Sequence, residues 1–117
     1  MSKKPVYHVA HIGINTQNEE EAYALVDVLC NTFDLERNND TPGNVFAGDI
    51  FEVLKHSRRG AHGHIALQTD DVEAAMEDLA SRGITFQEDT IRRDENGKIC
   101  FIYLEQEFGG FQIHLKS

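Results

Sequence analysis

The sequence predicts an α+β fold: two βαβββ modules that pair into one curved mixed sheet around a shared cup. Two observations carry this. One series of residues occurs twice, as His11-Ile12-Gly13-Ile14-Asn15-Thr16 and His64-Ile65-Ala66-Leu67-Gln68-Thr69, at a constant offset of 53. Each copy alternates like a strand and then switches to helical spacing. A repeat near half the chain length marks two copies of one supersecondary unit. With 117 residues the chain has material for one core, so the halves, about 5–56 and about 60–117, are expected to share a single domain over 1–117 or to pair across chains, and the sequence leaves open which of the two places the site.

In the first half, Val6 to Ile14 reads as a strand. Ala10, Ile12 and Ile14 are expected on one face, with Tyr7, Val9, His11 and Gly13 on the other. Asn18 reads as a helix N-cap, with Glu21 three residues on. Ala22, Leu25, Val26, Leu29 and Phe33 form an apolar stripe expected to pack on the aliphatic face of that strand. The segment 38–44 is rich in Asn, Pro and Gly and reads as a break. Strands at 45–47 and 50–55 follow, the second with Glu52 between Ile50 and Leu54. A carboxylate on such a face is costly unless something pairs with it.

Arg58 to Ala61 reads as the joint between halves. The twin strand, 62–69, places His64, Ala66 and Gln68 on one face. Asp70 is expected to cap the second helix, whose stripe is Val72, Ala75, Met76 and Leu79, with Gly83 closing it. Strands at 84–93 and 99–104 flank an Asn96-Gly97 turn. The second of these is apolar on both faces and is expected at the sheet centre. A last strand, 111–116, turns Gln112 and His114 away from the helix.

In each half the first strand therefore carries a histidine away from the helix, His11 and His64. The last strand carries Glu52 in one half and His114 in the other. All four are metal-competent, and on one face of a twisted sheet they can converge. The expected cofactor is a divalent ion: Zn, Ni, Mn, Co or Fe. Taken singly, a strand histidine is an ordinary hydrogen-bonded residue; the signal is the set. His62 has no twin, since its counterpart is Val9, and is expected at the periphery; His8 and His56 are expected in solvent. Of Arg92 and Arg93, expected to face solvent, one can reach an anionic substrate.

Composition limits the function classes. A formal net charge of −9 without a basic stripe argues against nucleic acid as partner. No apolar run is long enough to cross a bilayer, and the first residues lack an apolar leader. Cys30 and Cys100 read as reduced thiols, which points to the cytoplasm.

At His11-Ile12-Gly13-Ile14, Phe51-Glu52-Val53, Gly63-His64-Ile65-Ala66 with Asp70 to Ala75, and Gly110 to Leu115, the chain resembles the vicinal oxygen chelate superfamily. This is the glyoxalase, bleomycin-resistance and extradiol dioxygenase fold. The resemblance covers essentially the whole chain. It implies metal ligands at His11, Glu52, His64 and His114, a homodimer, and chemistry by chelation of vicinal oxygens. A finer similarity, at 102–104 and 109–115, is to small domains named with keto-deoxy-phosphogluconate or hydroxy-oxoglutarate aldolases. The chain departs from glyoxalase I and from extradiol dioxygenases at His114, where both have glutamate.

The resulting expectation is a metal-dependent lyase or isomerase of glyoxalase type. It would act on a small oxygenated metabolite, such as a 2-oxo or 2-hydroxy acid or an aldehyde adduct, through an enediolate-like intermediate with Glu52 as base. The alternatives are a non-catalytic binding or accessory protein and a dioxygenase.

Overall fold

The computed structural model describes residues 4–117. Along the chain run β1 (His8–Asn15), α1 (Glu19–Phe33), β2 (Arg37–Asn38), β3 (Asn44–Ala47) and β4 (Phe51–Leu54). The second half repeats the order: β5 (Gly63–Gln68), α2 (Val72–Ser81), β6 (Phe86–Arg93), β7 (Ile99–Phe108) and β8 (Phe111–Lys116). The fold is α+β with an open mixed sheet of eight strands, ordered β2-β3-β4-β1-β5-β8-β7-β6. Within each module the first and last strands pair in parallel, β1 with β4 and β5 with β8. The modules meet where β1 and β5 run antiparallel. The order therefore reads alike outward from that seam in both directions.

The sequence features behind the helices are local. The Asn18 side chain accepts from the Glu21 backbone N–H at 2.8 Å, capping α1. The cap of α2 is Asp71, not Asp70: Asp71 Oδ1 accepts from the Ala74 N–H at 3.0 Å. Glu73 accepts from the Ile99 N–H and ties α2 to β7.

Each helix covers its own half. Ala22 and Val26 of α1 pack with Val45, Ala47 and Val53, so the stripe lies over β3 and β4 and not, as expected, over β1. Phe33, the last residue of α1, falls off the stripe and is 62% exposed. Val72 and Ala75 of α2 pack with Ile102, Leu104 and Leu115. Tyr7 joins this second core, contrary to simple alternation, because a bulge between Val9 and His11 shifts the register of β1. β7 is not central. It lies next to the edge strand β6, and its apolar residues serve a helix on one face and the cup on the other. No described helix is long and apolar enough to cross a membrane.

Candidate metal centre

The four expected donors lie on the four central strands: Glu52 on β4, His11 on β1, His64 on β5 and His114 on β8. All belong to one chain. They occupy two adjacent cross-strand rows. One row runs Glu52, Gly13, His64, Gln112; the next runs His11, Ala66, His114, Tyr103. In each row two of the donors are separated by an intervening strand, a span of roughly 10 Å between backbones. They meet because the intervening residue is small. A Cβ on Gly13 would fall inside the His64 ring. Across it the His64 Nε2 lies 3.0 Å from Glu52 Oε1. Across Ala66 the His11 and His114 rings come to 5.4 Å between centroids. Gly13 and Ala66 are themselves twins in the repeat, at the position where both copies keep a small residue.

His11, His64 and His114 each bring a ring nitrogen within 4.8 Å of the others. His11 Nε2 is 3.3 Å from His64 Nε2 and 3.5 Å from Glu52 Oε1. Donors bound to one ion at ~2.0–2.1 Å sit about 3.0–3.4 Å apart, so His11, His64 and Glu52 are spaced as ligands of one ion are. Glu52 meets two of the rings and stands at the margin of the three-histidine cluster. Asn44 Nδ2 donates to its other oxygen, Oε2, at 2.5 Å.

Burial favours the neutral form of two of the imidazoles, His114 and His11. Burial pushes His114 down to about 3, and the neighbouring His64 and His11 push the same way. Burial also lowers His11, against a smaller opposing pull from Glu52. The buried His114 Nδ1 has no hydrogen-bond partner among the described residues. Burial alone would raise Glu52, but hydrogen bonds from His64 and Asn44 outweigh it and hold the carboxylate below its ordinary range. Neutral imidazoles beside an ionised carboxylate are the protonation states that metal coordination requires.

The donors line a cavity of about 880 Å³. His114 stacks on Phe101, centroids 4.4 Å apart, and meets Tyr103 edge-on at 5.0 Å. Arg58, Arg59 and Arg92 also line the cavity. Arg58 and Arg59, read from the sequence as a mere joint, belong to the site. Arg92 is the cup-facing member of its pair, while Arg93 donates to the Gly97 carbonyl. His8, His56 and His62 are exposed and stand outside the donor set. Asn44 escaped notice in the sequence because its turn-rich setting explains an asparagine without any role at the cup.

An open sheet whose inner strands gather three histidines and a glutamate in a cup defines a chelating architecture. The chain belongs to the Glyoxalase/Bleomycin resistance protein/Dioxygenase superfamily, whose family model matches residues 2–115. Solved structures share the fold. One is a hypothetical protein from Bacillus halodurans C-125, 17% identical, with 94% of this chain and 93% of that one covered and a TM-score of 0.62. Another is a Streptomyces coelicolor methylmalonyl-CoA epimerase in complex with 2-nitronate-propionyl-CoA (22% identity, 92% and 94% covered, TM-score 0.57). A third is the Mycobacterium tuberculosis methylmalonyl-CoA epimerase (14% identity, 92% and 85% covered, TM-score 0.57). At these identities the likeness is one of fold. No curated protein matches the chain. The finer similarity to aldolase-named domains finds no support in these matches.

Proposed function

We propose that the chain is a metal-dependent isomerase or lyase that moves a proton beside a carbonyl of a small oxygenated metabolite. The observation that carries this reading is the convergence of His11, His64 and His114, with Glu52 at their margin. Family membership and the epimerase neighbours support an isomerase-type role in general. His11, Glu52, His64 and His114 would hold a divalent ion, with Zn, Ni, Mn, Co and Fe all compatible with this donor set. When bound, the ion supplies Lewis acidity to vicinal substrate oxygens.

The remaining steps fall to side chains of this chain. Glu52 is the base. Its Oε1 faces the cup, its carboxylate is held ionised, and its marginal place leaves it free to reach a substrate carbon. Asn44 fixes Oε2 and so aims Oε1. The Phe101 and Tyr103 rings hold His114 in place and shield one wall of the cup. We also take the working form to be a homodimer, since among the described residues the sheet ends at two edge strands, β2 and β6, each with one free edge, and free edges invite pairing.

Elemental analysis and solvent-deuterium exchange test the reading together. Purified protein is expected to hold about one ion per chain and to exchange the proton beside the carbonyl in some member of a panel of 2-oxo acids, 2-hydroxy acids and aldehyde adducts. Glu52→Gln is expected to keep most of the metal and lose exchange by at least about a hundredfold, the scale of general-base catalysis. A chain that takes up no ion, or a metal-loaded chain that exchanges nothing, overturns the enzyme reading. Light scattering that finds a monomer at micromolar concentration overturns the dimer.

A further inference from the structure

We infer that the substrate carries a second acidic group, a carboxylate or a phosphate, held by Arg92 and Arg58 at a distance from its chelating oxygens. The inference rests on the proposed function and names its substrate class. The chain as a whole carries a formal charge of −9, with 20 acidic residues against 11 Lys and Arg. The cup reverses that balance. Arg58, Arg59, Arg92 and Lys116 line it, against the carboxylates of Glu52 and Asp89. An acidic chain that places four of its 11 Lys and Arg in one cavity, against two carboxylates, favours an anion there.

The arginines are also held in place. The Arg92 guanidinium lies over the Phe101 ring, 4.7 Å from its centroid, and the Arg59 guanidinium over Tyr103 at 4.3 Å. These are the two rings that pack on His114. One aromatic platform thus joins the donor cluster to two cations. Arg59 spends a donor on Gln87 Oε1 at 2.6 Å. Among the described residues, the guanidiniums of Arg92 and Arg58 have no hydrogen bond or ion pair to any protein group. Stacking fixes the Arg92 guanidinium while leaving its N–H donors free, and such a planar fork fits carboxylate and phosphate in bidentate fashion. Arg58 comes from the connection between modules and Arg92 from β6, and both line the cavity.

Paired probes isolate the remote group. Racemic malate and lactate share a hydroxy-carboxylate, and only malate adds a second carboxylate. 3-Phosphoglycerate and glycerate differ in the same way by a phosphate. Calorimetry on the protein as purified, with metal content measured on the same sample, is expected to give at least one anionic member a Kd tenfold or more below its partner's. Which pair shows the larger ratio tells carboxylate from phosphate. Arg92→Gln and Arg58→Gln are each expected to shrink that ratio while leaving lactate and glycerate affinity unchanged. A metal-free chain that still prefers the anionic member, through the arginines, keeps this inference and overturns the metal. A metal-loaded chain with equal affinity within both pairs, no binding to any of the four, or a preference that both substitutions leave intact, overturns the inference and keeps the metal.

Discussion

At Gly13 a single methyl group would compete with the His64 ring for the same space. The φ of Gly13 is not positive, so alanine fits the backbone and the conflict is purely with the ring. Gly13→Ala is expected to fold, to tilt His64 out of the donor set and to weaken divalent-metal affinity at least tenfold, measured by titration beside a circular dichroism check. Acid should expose the same cluster. Burial holds His114 near 3, while in the unfolded chain it titrates near 6.5. Between those values the unfolded chain binds a proton that the folded chain refuses, so stability is lost as pH falls through that window. Glu52, also lowered, adds a further loss below its ordinary 4.5. Urea midpoints of metal-free protein are expected to drop from pH 7.5 to 6.0 and again to 4.5, with a shallower slope in His114→Gln. The convergence of His11, His64 and His114, with Glu52 beside them, was legible, because repeat symmetry singles these positions out without any coordinates. The role of the small twins Gly13 and Ala66 was not, because it depends on which strands become neighbours.

Capping separates two adjacent aspartates at the scale of an element. Both Asp70 and Asp71 are sound N-cap residues, and only the path of the chain out of β5 decides between them. Asp71→Ala is expected to cost about 1 kcal/mol in urea denaturation, and Asp70→Ala close to nothing. The strand β4 ends in another local device. Lys55 is 4% exposed, and its Nζ donates to Asp40 at 2.7 Å, to Tyr23 at 3.0 Å and to Glu19 at 3.1 Å. Its backbone N–H donates to the Gly43 carbonyl. Hydrogen bonds to Asp40 and Tyr23 raise the lysine above its ordinary value, so it stays charged. These bonds tie α1 and β4 to the turn that carries Asn44, and through Asn44 to Glu52. Lys55→Met is expected to lower the urea midpoint and also to raise the lowered pKa of Glu52 toward its ordinary 4.5, read by carboxylate NMR. Both helices and most strands could be read from caps and alternation, while the short β2 and the extension of β7 to Phe108 carried no such signal. The position of β7 could not, since a strand between a helix and an aromatic cup wall has the same two-sided apolar pattern as a central one.

For the whole molecule, the seam between β1 and β5 decides where the site can form. His11 and Glu52 come from one module and His64 and His114 from the other, so neither half holds the set, while a single chain holds all of it. Metal affinity is therefore expected to be unchanged on dilution from micromolar to nanomolar chain, whatever the oligomeric state. A loss of affinity on dilution would show that a second chain completes the site. The duplicated architecture was legible because the period fixes which residues are equivalent. That the halves pair within one chain was not, because a repeat constrains the unit and leaves open which copy it docks against.

The near-symmetry of that frame is broken at one pair of equivalent strands. β4 brings a carboxylate, and β8 brings an imidazole. With Glu52 as the proposed base, the cup has one proton acceptor, and the equivalent position on β8 offers an imidazole instead of a second one. Chemistry in such a cup is handed. Under the proposed single-base reaction, a proton removed by Glu52 would return to the same face, so turnover in deuterium oxide is expected to label one prochiral position and to give product of a single configuration, readable by chiral chromatography and NMR. A racemic product would require a second acceptor on the far wall.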